Sequence, residues 1–238
     1  AIVVDGRAKA YPVGIMNWHE IVNDRFGERP IAVTYCPLCG TGIAFDARAA
    51  GKELTFGVSG LLYNSDLLLY DRQTESLWSQ VSKQAVTGPL KGRKLDMLPL
   101  TRTTWSAWRL AHPDTLVLSE KTGYRRDYDR DPYAGYASET GLYFPVSAES
   151  GRYHRKEWVL GVEIDGQHKA YPFSELRRAG KDTIDDVITG KPVQIRFDRA
   201  NDSATIHDAG EHQLPAMTAF WFAWYAFHPE TAVYTAGQ

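Results

Sequence analysis

The sequence predicts an α+β fold, mostly strand with short helices, in which two pseudo-equivalent repeat units pack as one globular domain. Three observations carry this. Sequence blocks recur in the same order, Asp-Gly turns separate alternating apolar runs, and tryptophan-rich segments stop at His-Pro. Val4-Asp5-Gly6-Arg7-Ala8-Lys9-Ala10-Tyr11-Pro12 returns 160 residues later as Ile164-Asp165-Gly166-Gln167-His168-Lys169-Ala170-Tyr171-Pro172. Pro30-Ile31-Ala32-Val33-Thr34-Tyr35 returns as Pro192-Val193-Gln194-Ile195-Arg196-Phe197. Trp105, Ala107, Trp108 and His112-Pro113 return as Trp221, Ala223, Trp224 and His228-Pro229, now 116 residues apart. The units span about 1–118 and 158–235, joined by a connector over 119–157. Two copies are too few for a solenoid array.

Each unit predicts the same elements. A hairpin turns at Asp-Gly, a short helix follows Tyr-Pro, and a strand follows Pro30 or Pro192. A tryptophan-rich helix ends near His-Pro, and a last short strand follows. The long final helices are expected to share one core. Ala219–Phe227 reads as a core helix, being too short for a membrane span. The offset between the copies shrinks between Tyr35 and Leu98, so the first unit carries an insert over about 36–90. Its start aligns with the middle of an element in the second, which suggests a trimmed N-terminus.

With 43% apolar and 24% charged residues, the 238-residue chain has an ordinary globular composition. Its net charge of −2 offers no global field for nucleic acid. No Walker loop, dinucleotide fingerprint, nucleophile elbow or HExxH motif is present.

The chemistry concentrates in the insert. Tyr35-Cys36-Pro37-Leu38-Cys39-Gly40-Thr41 holds the only two cysteines. Cys-Pro-x-Cys-Gly has the shape of a metal knuckle, in which two sulfurs converge and the following glycine permits a positive φ. The spacing equally suits a reversible disulfide, or two buried thiols on a tight turn. His19 is the histidine private to the first unit. It borders the inward stripe of Ile15, Trp18 and Val22, and is the expected third ligand. Asn64 and Asp66 lie in the polar cluster Tyr63-Asn64-Ser65-Asp66, either a tight loop or a loop presenting both side chains to a substrate or a ligating histidine. Trp78-Ser79-Gln80 could wall a pocket. Arg126, in the sign-alternating connector, could line a cleft between the units. His112 and His228 recur in both copies and suit helix ends; His154, His168, His207 and His212 are expected at the surface.

Together with Asn17-Trp18-His19-Glu20, Arg126-Asp127-Tyr128, Asp131-Pro132-Tyr133 and Trp221-Phe222-Ala223-Trp224, these segments resemble the prokaryotic family catalogued as domain of unknown function 3179. The resemblance runs nearly the whole chain. It implies no established activity, and it implies an extracytoplasmic or periplasmic setting.

The residues thus predict a metal site of Cys36, Cys39 and His19, with copper as the expected ion and zinc as the alternative. Asp66, Asn64 and Arg126 stand as candidate catalytic residues of a redox metalloenzyme acting on a small molecule or thiol. A metal-free thiol–disulfide module is a second reading. A non-catalytic ligand-binding module braced by a zinc knuckle is a third.

Overall fold

The computed structural model describes residues 1–237. The chain is mostly strand, with four seven-residue α-helices among the described residues: α1 (Val13–His19), α2 (Trp105–Ala111), α3 (Phe173–Ala179) and α4 (Trp221–Phe227). No helix among the described residues is long and apolar enough to cross a membrane.

The repeated blocks take matching local structures. The first hairpin pairs Ile2–Val4 with Arg7–Ala10, and its counterpart pairs Trp158–Ile164 with Gln167–Pro172. Both turn on an aspartate and a glycine with positive φ, Asp5 and Gly6 in one and Asp165 and Gly166 in the other. Two consecutive left-handed residues give the turn the twist that antiparallel strands need. Pro12 and Pro172 then occupy the N-cap positions of α1 and α3. A proline there gives up no helical hydrogen bond. Helices α2 and α4 end at His112 and His228. Each histidine precedes a proline, which disfavours helical backbone at that position. The closing strands even share a register. Leu116 pairs in parallel with Lys9, and Ala232 with Lys169.

The two units distribute these elements differently among the sheets. The largest sheet has eight strands. Along it run Ala232–Val233, Gln167–Pro172, Trp158–Ile164, Met217–Phe220, Thr41–Asp46, Arg29–Cys36 and Ile21–Phe26, with Met97–Leu98 also paired to Thr41–Asp46. It joins the second unit's hairpin to the first unit's meander through the pair Thr218–Gly42. The first unit's hairpin and Leu116–Val117 form a separate three-stranded sheet. The second unit's meander, Thr183–Ile188, Lys191–Asp198 and Ser203–Asp208, forms another.

The insert adds a four-stranded sheet, ordered Gln84–Ala85, Leu77–Ser79, Asp66–Asp71, Phe56–Tyr63. The core that surrounds the cysteines draws on this sheet, on the large sheet and on α4, including Phe45, Phe56, Trp78, Phe220 and Trp221.

Three expectations need correction. The tryptophan helices are short rather than long, and only α4 is deeply buried; Trp105 on α2 is 48% exposed. The apolar run Ala219–Phe227 is split, with Met217–Phe220 in strand and the helix starting at Trp221. His168 is no surface residue: it is half-buried and stacks on His228, ring centroids 3.9 Å apart.

Candidate metal centre

The cysteines sit on the hairpin that joins Arg29–Cys36 to Thr41–Asp46. Cys36 pairs with Thr41 at the end of the ladder, leaving Pro37-Leu38-Cys39-Gly40 to make the turn. Gly40 has φ +63, and a Cβ there would lie 2.6 Å from the Trp158 ring. Any side chain at 40 would therefore strain the backbone and collide with the core. The Phe220 amide donates to the Cys39 carbonyl at 2.8 Å, which ties the turn to the strand leading into α4. The knuckle is thus held from both sides, and neither thiol reaches solvent: Cys36 is 2% and Cys39 0% exposed.

The insert supplies the third group. Phe56–Tyr63 and Asp66–Asp71 form a hairpin that turns on Asn64 and Ser65, both with positive φ. The turn delivers the Ser65 carbonyl and the Asp66 carboxylate to the sulfurs. Cys39 Sγ lies 3.2 Å and Cys36 Sγ 3.9 Å from the Ser65 oxygen. One ligand atom each from Cys36, Cys39 and Asp66 fall within 4.8 Å of one another. Both cysteines are unbridged.

Asp66 is wholly buried. Its Oδ2 accepts from the Val81 amide at 3.1 Å, while Oδ1 has no hydrogen-bond partner. Burial drives its pKa up to about 7 against the pull of the Val81 and Leu67 amides and of the two thiols. Burial and the neighbouring Cys36 and Asp66 likewise push the Cys39 thiol well above its usual range. For Asp66 and Cys39, burial without solvent thus disfavours the charged form. Cys36, Cys39 and Asp66, deprotonated, form a compact anionic donor set.

Gln80 extends the polar core. Its Nε2 donates to Thr34 Oγ1 at 2.8 Å and to the Thr41 carbonyl at 3.2 Å, and its Oε1 is a second buried acceptor without a partner. Trp78 does not wall a pocket. It is fully buried, with Nε1 donating to Asp71 at 2.9 Å and its ring edge-on to Phe56.

The other candidates lie elsewhere. His19 is not one of the three clustered groups. Its Nε2 is 2.7 Å from the Tyr128 hydroxyl, which also pairs with Thr122 at 2.6 Å. Burial, and then Arg126 beside it, hold its pKa below the ordinary value. Arg126 lies over the Trp18 ring on the same helix, 5.7 Å from its centroid. The connector therefore docks on α1 through His19, Trp18 and Asn17, which donates to Asp131 at 2.8 Å. Asn64 uses its amide to hold other segments together, donating to the Ala226 carbonyl at 3.3 Å and accepting from Ser147 at 2.8 Å. Of the six candidates, the structure brings together Cys36, Cys39 and Asp66.

Sequence reasoning missed the connector's part in enclosing this centre. Ser65 Oγ donates to the Phe144 carbonyl at 2.6 Å, and the buried Tyr136 packs on Phe220. Nothing local in the sequence signals these contacts, which span 79 and 84 residues.

A family model described as "Protein of unknown function (DUF3179)" matches residues 1–231. The chain belongs to this family. As a DUF3179 protein it brings no named activity with it. No curated protein and no solved structure matches the chain.

Proposed function

We propose that this DUF3179 protein binds one transition-metal ion through Cys36, Cys39 and Asp66. One observation carries the reading: the Asp66 carboxylate is wholly buried against two unbridged thiols, and its Oδ1 lacks a partner. An unpaired acceptor at that depth costs on the order of 1–3 kcal/mol. A cation among the three groups would remove that cost. The Ser65 carbonyl, set against both sulfurs, is a candidate fourth donor.

The donor set bears on the metal. Two thiolates with an imidazole would suit copper or zinc. Replacing the imidazole by a carboxylate shifts the preference toward zinc(II), which accepts sulfur and carboxylate oxygen together, and away from copper(I), which prefers soft ligands. Two thiolates and a carboxylate carry three negative charges, so a divalent ion leaves a net charge of −1. The donors come from the knuckle hairpin and from the insert hairpin, so a bound ion would cross-link two sheets. Such a closed site holds an ion as a structural or stored element.

The test is metal content of untagged protein after equilibration with zinc and, separately, with copper(I) under reductant. About one equivalent of zinc is expected in wild type and in His19→Ala, and well under half an equivalent in Cys36→Ser and Asp66→Asn. Equal, substoichiometric metal in all four proteins would overturn the reading. Loss in His19→Ala with retention in Asp66→Asn would restore the histidine as ligand.

The metal-free dithiol reading rests on the same carboxyl, which at a pKa of about 7 could exchange a proton with a thiol. Burial of both sulfurs weighs against it, because exchange needs an accessible thiolate. Rapid native-state labelling of either cysteine, without metal, would favour it.

A further inference from the structure

Tyr35 and Cys36 are consecutive on one strand, so their side chains point to opposite faces of the large sheet. On the Tyr35 side lies a cavity of about 80 Å³, lined in part by Tyr11, Thr34, Tyr35, Leu100, Arg102 and Thr218. It belongs to a different core from the cysteines, in which Tyr35 packs with Val33 and Leu100.

Arg102 is the unusual member. Its guanidinium stacks over Trp158, 3.9 Å from the ring centroid. Among the described residues its one hydrogen bond is from Nη1 to the Asp202 carbonyl, at 3.2 Å. The Asp202 carboxylate is occupied by Arg177. No carboxylate among the described residues comes within ion-pair distance of Arg102, although burial already holds its pKa below the ordinary value. A guanidinium has five donors in a flat fork, and here one is used. The Tyr35 hydroxyl beside it also has no hydrogen bond among the described residues. A partly buried cation with no carboxylate in direct contact is a costly arrangement unless something pairs with it.

We propose that this cavity is a binding site for a small carboxylate. The guanidinium would take both carboxylate oxygens in the two-pronged geometry that suits it, and the Tyr35 hydroxyl would donate to one of them. Val33 and Leu100 would receive a short apolar tail. The volume has room for an acetate-sized head, and Arg102 is the one charged side chain among the lining residues. A single side-chain cation with a flat donor fork favours a planar monoanion over a tetrahedral, doubly charged phosphate.

The probe is sodium acetate, titrated by calorimetry and by thermal melting, with sodium phosphate and sodium chloride at matched ionic strength. Saturable acetate binding is expected in wild type, at least tenfold weaker in Arg102→Met, which keeps an unbranched chain against Trp158. Tyr35→Phe should weaken it several-fold without changing the fold. Should Arg102→Met not fold, Arg102→Lys replaces it, and a tenfold loss with charge retained would point to the fork itself. Absence of saturable acetate binding in wild type, or unchanged affinity in the arginine variants, overturns the proposal. Equal affinity for phosphate overturns the carboxylate assignment.

Discussion

The recurring sequence blocks make similar hairpins, helices and meanders, and the two halves place them in opposite ways. In the first, the meander Ile21–Asp46 enters the large sheet and the hairpin Ile2–Ala10 stands apart. In the second, the hairpin Trp158–Pro172 enters the large sheet and the meander Thr183–Asp208 stands apart. The consequence is concentrated at one turn. The first unit's Cys36–Thr41 turn is buried between the insert hairpin and Phe220. The second unit's turn between Lys191–Asp198 and Ser203–Asp208 is Asp198-Arg199-Ala200-Asn201-Asp202, largely exposed and bonded to itself through Asp198. Equivalent backbone thus carries a polar loop where water reaches it and a cysteine-bearing turn where packing excludes water. Burial, rather than the hairpin itself, separates a candidate site from an ordinary turn.

The same contrast governs the helices, and there the largest effect is expected. Trp221 on α4 is 1% exposed, with Nε1 donating to the Ser150 carbonyl of the connector at 3.2 Å. Trp105, its counterpart on α2, is 48% exposed. Trp221→Ala should cost about 3–5 kcal/mol, the usual range for a large core aromatic. Trp105→Ala should cost less than about 1 kcal/mol, as a half-exposed position away from the core does. Urea denaturation of both variants measures the difference. Equal losses would mean that α2 is covered in solution as α4 is.

Much of this was legible beforehand, and what was legible is local. Asp-Gly dictates the hairpin turns, Pro12 and Pro172 start helices, and His-Pro stops them. Each such signal acts over a few residues. The exchange of hairpin and meander between sheets rests on pairings such as Thr218 with Gly42, which no local pattern encodes. For the same reason the sequence marks Cys36, Cys39 and Asp66 only as separate candidates, and their grouping comes from how the sheets pack. His19 lies at the border of the α1 stripe, as expected, but the connector claims it through Tyr128. Asp66 reaches the sulfurs because the Asn64-Ser65 turn folds back over the knuckle, which is a property of how two sheets pack.

The histidines at the helix ends sharpen the comparison through pH. His228 stacks on His168, and Ala8 occupies the corresponding place near His112. Burial first, with His168 and Lys83 adding repulsion, holds the His228 pKa down at about 3. A base with a lowered folded pKa stays neutral while the unfolded chain takes up a proton. Its effect is therefore a loss of stability as pH falls from about 6.5 toward 3, and none above that window. The loss from pH 8 to pH 4 should be roughly 2–4 kcal/mol. His228→Gln should flatten this part of the stability curve. An unaltered slope in this variant would assign the acid sensitivity to another group.

The smallest expected effect tests where the units are most alike. Lys9 pairs with Asp24 at 2.9 Å, and Lys169 with Asp186 at 2.6 Å. Tyr11 and Tyr171 each donate to the same aspartate at 2.7 Å. Burial pushes both carboxyls up, but the lysine, the tyrosine and a backbone amide together outweigh it and hold both below the ordinary value. Stability from such a carboxylate is fully present above its unfolded pKa of about 4, and is lost as pH falls through the lower folded value. Both pairs are partly solvated, so Lys9→Met and Lys169→Met should each cost about 1 kcal/mol or less at neutral pH. Each variant should converge on wild type in acid, where the carboxyls are protonated and the lysines have no charge to meet. Denaturant melts at pH 7 and at steps downward from pH 4 measure both features. Losses at pH 7 that differ by more than about 0.5 kcal/mol would show that the shared contacts are energetically unequal, and that the opposite sheet environments reach even these hairpins.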